Sequence, residues 1–415
     1  MNNSENTSPH NFEQCVKCTI CTVYCPVTAV NRDYPGPKQA GPDGERYRLK
    51  DKRFYNEALK YCLNCKRCEV ACPQGVHIGD IILQARLKYS HGSANLRDRM
   101  LAHTDLMGTI GTRLSPTVNG ILRFTPVKFA MDYILGIDRH RIFPSYSPRR
   151  FVTWFRRHAA DRQERFDRHV TYFHGCYVNY NFPRLGKDFV KVMNACGIGV
   201  NLMKNEKCCG VARIANRLIK QATDAAKINL QEIRTAVASG TDVVATSSTC
   251  IMTMRDEYPN ILGLDNADVR DHIMTATRYL YRLVENGDVK LVFKSDYLRR
   301  IAYHTPCHMS RLGWSVYSTR LLSMIPGVEL TILDSNCCGI AGTYGFKKEN
   351  YRNSQAMGKV LFDSIALVHP DFVATDCETC KWQIEMSTPY KVFNPISVLA
   401  DAIDIEATRR ANNVK

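Results

Sequence analysis

From residue 170 onward, short apolar runs alternate with longer stretches in which apolar positions recur every three or four residues. An apolar run of four to eight residues between turn residues reads as a buried strand, and the three-to-four repeat reads as an amphipathic helix. On that basis VTYFHGC (170–176), GVNLM (199–203) and TDVVATS (241–247) are strands, separated by helices over PRLGKDFVKVMNAC (183–196) and from Ile219 to Val237. The order then returns: IAYHTPC (301–307), a helix from Tyr317 to Ile325, GVELTIL (327–333), a helix from Tyr351 to Ile365, and DFVATDC (371–377). Strand–helix–strand order of this kind predicts parallel sheets covered by helices, hence an α/β fold with duplicated βαβ units.

Upstream the strand period is missing. Residues 1–14 read as a mobile tail, and NRDYPGPKQAGPDGERYRLK (31–50), rich in Pro and Gly, predicts irregular chain. DKRFYNEALKYC puts Phe54, Ala58 and Tyr61 on one side of a helix, and a second helix is expected from Ile78 to Tyr89. Residues 105–137 are apolar with Arg113, Arg123 and Lys128 scattered through them, and Pro116 and Pro126 cut them into pieces too short to span a bilayer. Such pieces either lie in a membrane interface, basic residues meeting headgroups, or pack on the body of the protein or a partner subunit. Residues 139–169 carry nine arginines against three acids and read as a solvated face or linker. The expected divisions are 1–100, 101–169, 170–295 and 296–415.

The cysteines change the picture most. Cys15-x-x-Cys18-x-x-Cys21-x-x-x-Cys25-Pro26 is written again as Cys62-x-x-Cys65-x-x-Cys68-x-x-x-Cys72-Pro73. Three thiolates on such a loop grip one cubane while the fourth reaches a second cluster, so two runs supply two [4Fe-4S] clusters. By the crossed pattern of bacterial ferredoxins, Cys15, Cys18 and Cys21 share a cluster with Cys72, and Cys62, Cys65 and Cys68 share one with Cys25. The N-terminal domain is then an α-helical, two-cluster ferredoxin. Zinc knuckles are disfavoured, because they pair Cys-x-x-Cys units across a long gap. Disulfide scaffolds exceed roughly 8–10% cysteine, well above eighteen cysteines in 415 residues.

In the later repeat, of about 130 residues, the cysteines keep register: Cys176 with Cys307, Cys208-Cys209-Gly210 with Cys337-Cys338-Gly339, and Cys250 with Cys380. The second copy adds Cys377 where the first has Ser247. Cys307, Cys337, Cys338, Cys377 and Cys380 therefore form a five-thiolate cup at the C-terminal edge of a parallel sheet, where ligands commonly bind, and the adjacent pair can bridge neighbouring irons. The four-thiol set Cys176, Cys208, Cys209 and Cys250 reads as a degenerate site: a full cluster, a zinc ion or no metal. His174, His304 and His308 flank the lead cysteines and read as structural rather than as ligands. Cys196, within a helix, reads as a small buried apolar residue.

No Gly-x-Gly-x-x-Gly follows a strand and no phosphate loop is visible, so no flavin or nicotinamide site is expected. The net charge of +16 fits nucleic acid, anionic headgroups, an acidic partner or solubility, and alone selects none. No apolar run is long enough for a spanning helix, and the N-terminus has neither a basic n-region nor an apolar h-region. The thiols are thus expected in a reducing cytosol.

Two ferredoxin runs followed by two Cys…Cys-Cys-Gly…Cys-x-x-Cys units resemble the cysteine-rich-domain electron carriers, a group that includes the B-type subunit of heterodisulfide reductase and the glycolate oxidase iron-sulfur subunit. YPGPKQAGPDGER (34–46), EALKYCLNCKRCEVACP (57–73), HTDLMG (103–108), HTPCHM (304–309) and CCGIAGTYGFKKENY (337–351) are most similar to the C-type subunit family of anaerobic glycerol-3-phosphate dehydrogenases. That resemblance implies an electron-transfer subunit that receives electrons from the flavin-containing A and B subunits, passes them to menaquinone, and holds the complex peripherally on the cytoplasmic face of the membrane. It implies a non-cubane [4Fe-4S] cluster at the five-thiolate cup; Ser247 is a departure at the first. No catalytic side chain is required. The alternative is a catalytic cup that reduces a disulfide, as in heterodisulfide reductase; nucleic-acid binding through 139–169 lacks a recognition motif.

Overall fold

The computed structural model describes residues 11–54, 56–90 and 94–414. Among the described residues, eight strands form two four-stranded, wholly parallel sheets. The first contains β1 (Arg168–Tyr172), β2 (Ile198–Leu202), β3 (Val243–Ala245) and β4 (Ile273–Thr275) in the order β2-β1-β3-β4. The second contains β5 (Arg299–Tyr303), β6 (Val328–Ile332), β7 (Phe372–Ala374) and β8 (Val392–Phe393) in the order β6-β5-β7-β8. The topologies are copies of each other, as the cysteine register predicted. β4 and β8 escaped the sequence reading because two or three residues are too few to show a period. The expected helices appear at Pro183–Ala195, Ile219–Ala238, Ser315–Ser323 and Tyr351–Val368.

The sheets do not stand apart. One apolar core runs from Val170, Phe189 and Ile233 through to Ile301, Leu321 and Leu399. Helix Pro395–Ala402, the chain's exit from the second sheet, packs on helix Pro183–Ala195 of the first. Lys191 Nζ donates to the Ala400 carbonyl at 2.9 Å, and Ser397 Oγ donates to the buried Asp188 carboxylate at 2.6 Å.

Before residue 168 no strand occurs among the described residues, and the ferredoxin domain is helical as expected, with helix Ile78–Tyr89 at its centre. Two local expectations are overturned. Residues 39–50 are helical, a π turn at Gln39–Asp43 running into Gly44–Lys50. The wider π turn accommodates Pro42, and the buried Arg48 guanidinium donates to the carbonyls of Ala40 and Gly41. Conversely, among the described residues of 51–62 the helical piece is only a short 3-10 turn, Glu57–Tyr61, with Leu59 buried in it, and Phe54 before it lies exposed. Of the expected tail, residues 1–10 lie outside the described residues, and Phe12–Gln14 form a turn with Phe12 buried.

Residues 104–135 form the short pieces the prolines imposed: Thr104–Arg113, Ser115–Arg123, Thr125–Ala130 and a π turn at Met131–Leu135. One side rests on the body. Gly108 and Gly111 lie against the rings of Tyr180 and Tyr146, where an added Cβ would come within 2.4 and 2.6 Å. The other side is bare: Phe124, Phe129, Tyr133 and Ile134 are all more than half exposed. The arginine-rich stretch is not simply a solvated face. Helix Phe151–His158 buries Phe151 and Phe155 in the shared core, and Arg141 is fully buried, bonded to Gln383 and Ser354 with its guanidinium over the Tyr351 ring.

Candidate metal centres

The two ferredoxin loops are conformational copies. Lys17 and Thr19 in the first, and Asn64 and Lys66 in the second, all hold φ between 54° and 64°, each pair leading into a short helix at Ile20–Val23 or Arg67–Val70. Left-handed residues other than glycine cost about 1–2 kcal/mol each, and alternating αR and αL residues turn successive N–H groups into a concavity that holds anionic clusters. The thiols sort into two sets by mutual influence. Burial raises the Cys21 thiol, and Cys15, Cys72 and Cys18 push it further. Burial takes Cys25 up to about 11 with Cys62 adding, and Cys65 up to about 12 with Cys25 and Cys62 adding. Cys68 is likewise raised by burial, then by Glu69, Cys65, Cys62 and Cys25. Each set thus draws three thiols from one run and the fourth from the other.

Such sets are stable as neutral thiols or as thiolates around a cation, because crowded, buried thiolates without a metal repel one another. None of the eighteen cysteines is paired in a disulfide. The donor set and the loop backbone therefore fit iron-sulfur ligation.

In the second repeat, Cys307 opens a helix just beyond β5, Cys337 and Cys338 follow β6, and Cys377 caps helix Glu378–Ser387, which carries Cys380. Cys338 Sγ lies 3.2 Å from Cys380 Sγ. Hydrogen bonding from Cys380 holds both Cys338 and Cys377 below the usual thiol range despite burial, Cys377 at about 6. Gly339 is at φ +87°, and a Cβ there would fall 1.9 Å from the Ser354 carbonyl oxygen, so only glycine fits after the cysteine pair.

The first repeat gathers Cys176, Cys208, Cys209 and Cys250. Cys176 Sγ and Cys208 Sγ are 4.0 Å apart, and the Cys209 thiol is raised by Cys208 and Cys250 before burial adds to the effect. Ser247, in place of a fifth thiol, instead donates to Glu378 of the other repeat at 2.9 Å. Asp105, at the head of the connecting segment, reaches this cup: its Oδ2 accepts the Cys208 N–H at 3.0 Å and faces Arg213 at 3.5 Å. Burial lifts its carboxyl to about 6, and Cys208 adds. Sequence reading missed Asp105; the signal was a lone acid heading an apolar, basic piece.

His174 and His308 are structurally satisfied. His174 meets Glu206 and the Gly175 carbonyl, while His308 Nδ1 lies 3.1 Å from Thr249 Oγ1. His304 is different: fully buried, with no hydrogen bond of good geometry at either ring nitrogen, it lies against the Cys338 thiol and, after Cys380, helps hold it below the usual thiol range. Cys196 sits in the shared core, its thiol raised to about 12 by burial alone, with no other cysteine acting on it.

The ferredoxin domain and the second cup touch. Burial raises the Cys307 thiol, and the next largest influence is Cys65, ahead of Cys337 and Cys377. Cys337 is raised in turn by burial, Cys338 and Cys65. Arg311, one turn beyond Cys307, pairs with Glu69 at 3.1 Å. Behind Cys65, the buried Lys66 ammonium pairs with Asp80 and Glu69, which with Glu257 hold it protonated against burial.

A 4Fe-4S dicluster domain family matches residues 11–76, and a cysteine-rich domain family matches residues 170–255 and 301–385. Over 394 residues, 95% of this chain and 99% of the relative, the sequence is 55% identical to the C-type subunit of the anaerobic glycerol-3-phosphate dehydrogenase of Escherichia coli (strain K12). The chain belongs to that family of C-type subunits. It is an iron-sulfur subunit of an oxidoreductase, built to work in a complex with other subunits. More distant likeness extends to the B-type subunit of the fumarate reductase (CoM/CoB) of Methanothermobacter marburgensis, 22% identical over 93% of this chain and 70% of the relative. Lactate utilization protein A 1 of Bacillus mycoides is 28% identical over 46% of this chain and 78% of the relative.

Proposed function

We propose that this subunit carries electrons from the flavin-containing A and B subunits of the glycerol-3-phosphate dehydrogenase complex to menaquinone. In this reading Cys15, Cys18, Cys21 and Cys72 hold one [4Fe-4S] cluster, and Cys62, Cys65, Cys68 and Cys25 hold a second. Cys307, Cys337, Cys338, Cys377 and Cys380 hold a non-cubane [4Fe-4S] cluster, while Cys176, Cys208, Cys209 and Cys250 form a degenerate site for a further cluster, a zinc ion or no metal. The clusters supply one-electron transfer; the chain's residues fix their spacing, burial and hydrogen bonding. The observation that carries the reading is the packing of helix Arg67–Val70 on helix Cys307–Leu312, pinned by Arg311 and Glu69 at 3.1 Å, which sets a ferredoxin ligand loop against the five-thiol cup.

The bare side of 104–135 supports peripheral attachment to the cytoplasmic face of the membrane. Among the described residues no helix is long and apolar enough to cross a membrane. Leu114, Ile121, Phe124, Phe129, Tyr133 and Ile134 are between 48% and 90% exposed, beside Arg113, Arg123 and Lys128. Apolar side chains flanked by cations are what a bilayer of anionic lipids accepts at its interface.

Anaerobic EPR with iron and sulfide counts tests the cluster assignment. Cys338→Ser is expected to remove one signal and leave the two ferredoxin signals, whereas Cys196→Ala is expected to change none. Wild-type protein prepared without oxygen that contains zinc and no acid-labile sulfide refutes the reading.

A further inference from the structure

The duplication supplies an internal control for a histidine that the electron path does not otherwise use. In each repeat a histidine stands at the end of the strand that leads to the first cup cysteine. In the first repeat His174 is committed: its backbone N–H donates to Glu206, and its Nδ1 lies 3.0 Å from the Gly175 carbonyl oxygen and 3.1 Å from Glu206 Oε1. In the second repeat the backbone of His304 is fixed by donation to the Ala374 carbonyl at 2.9 Å, and the ring is 1% exposed. Neither ring nitrogen makes a hydrogen bond of good geometry, and the group the ring acts on is the Cys338 thiol. One of them groups with Cys338 Sγ and Cys380 Sγ, all within 4.8 Å of one another.

A buried imidazole with both nitrogens unsatisfied is rare, because each buried polar atom normally finds a partner. Here the ring is anchored on a strand end and faces sulfur. A neutral imidazole always has one N–H to give, and a metal-bound thiolate is the acceptor this cup would provide. Five thiolates already stand around the cup, so the imidazole adds a donor rather than filling a missing ligand position.

We propose that His304 is a positioning and tuning residue: its ring N–H donates to the cluster-bound sulfur of Cys338, which raises the reduction potential of the centre in the second cup. The inference rests on the reading that this cup holds an iron-sulfur cluster. Reduction adds negative charge that spreads onto the sulfurs, so a donor to sulfur stabilises the reduced state more than the oxidised one. In the first cup the matching histidine does not serve as such a donor, since His174 is turned to Glu206. The donor would make the second cup a favourable destination for electrons arriving at Cys65.

The full chain, prepared anaerobically with and without [15N]histidine, tests this by pulsed EPR on the signal that Cys338→Ser removes. The expected result is a weak coupling to one histidine nitrogen, far smaller than that of a nitrogen bound to iron, lost in His304→Phe and kept in His174→Phe. Redox titration of the same signal is expected to move to lower potential in His304→Phe and to recover in part in His304→Gln, with the ferredoxin signals unmoved. A second-cup signal without histidine coupling, with the strong coupling of a directly bound nitrogen, or with an unchanged potential in His304→Phe overturns the proposal. The labelled wild type carries the spectroscopic test even if a variant fails to fold. Loss of no signal in Cys338→Ser, with iron sufficient only for two [4Fe-4S] clusters, overturns the cluster reading itself and this inference with it.

Discussion

Gly339→Ala and Gly210→Ala place the same methyl group after the same cysteine pair in two copies of one fold, and the structure gives them different outcomes. Both glycines hold left-handed backbone, at φ +87° and +97°. An alanine there costs about 1–2 kcal/mol in either repeat. At Gly210 the nearest atom to the new Cβ is 3.7 Å away, an ordinary contact, so that cost stands alone. At Gly339 the Cβ meets the Ser354 carbonyl oxygen at 1.9 Å and the Gly358 nitrogen at 3.1 Å, both backbone of helix Tyr351–Val368. Helix backbone cannot swing aside as a side chain can, and overpacking of this kind adds about 1–3 kcal/mol or more. The expected totals are about 1–2 kcal/mol for Gly210→Ala and about 2–5 kcal/mol for Gly339→Ala. Anaerobic urea unfolding measures both as shifts of the midpoint at unchanged m-value. Because the clash bears on the Cys337–Cys338 loop, Gly339→Ala is also expected to weaken the EPR signal that Cys338→Ser removes, while Gly210→Ala leaves it. Equal midpoint shifts for the two variants would refute the steric argument, leaving backbone conformation as the whole effect.

A triple variant, Phe124→Ser, Phe129→Ser and Ile134→Ser, is expected to abolish sedimentation with anionic vesicles. Each apolar side chain is worth about 1.5–3 kcal/mol when buried in the interface, while exposed positions change stability by only about 0.5 kcal/mol each; vesicle binding equal to wild type sinks the attachment. Burial raises the Glu257 carboxyl to about 7, against Lys66 and with Asp80. A raised carboxyl binds its proton more tightly in the folded chain, so this group's stabilising share is full at low pH and is lost as pH climbs from the ordinary carboxylate range to about 7. Glu257→Gln should flatten that part of the stability-versus-pH curve, measured by urea midpoints from about pH 4.5 to about pH 8, and an unchanged slope contradicts the assignment.

Much of this fold was legible because its signals are periodic or repeated. The strands and helices after residue 170 announced themselves through apolar alternation, and the duplicated cysteines fixed the register between copies that the sheet orders then displayed. Composition misled where long-range contacts override it. Pro42 and its neighbouring glycines suggested loop, but Arg48 ties the carbonyls of Ala40 and Gly41 into a helical turn that the local sequence does not advertise. The helical spacing of Phe54, Ala58 and Tyr61 pointed the other way, yet Leu59 is the residue the core takes. Arg141 is a sharper case. Nothing in an arginine-rich run says which guanidinium will be enclosed by Gln383, Ser354 and Tyr351, residues more than two hundred positions later. The same limit hid Asp105, and hid the fact that the His304 ring faces Cys338 and Cys380, because these surroundings are assembled from distant segments.

The departure at Ser247 acquires a physical reason from the way the copies meet. Ser247 donates to Glu378, Ser248 donates both its backbone N–H and its hydroxyl to the Asp376 carbonyl at 3.0 and 2.9 Å, and Thr249 Oγ1 lies 3.8 Å from Cys377 Sγ. The segment that would carry a fifth thiol in the first repeat is therefore the segment that docks against the thiol-bearing segment of the second. Glu378 is half-buried there, and desolvation lifts its carboxyl to about 8, so it needs a good donor. A hydroxyl is a stronger donor than a thiol, and cysteine at 247 would leave that carboxyl poorly satisfied. The one thiol by which the two cups differ thus falls at the surface through which the copies meet, where a hydroxyl serves Glu378 better.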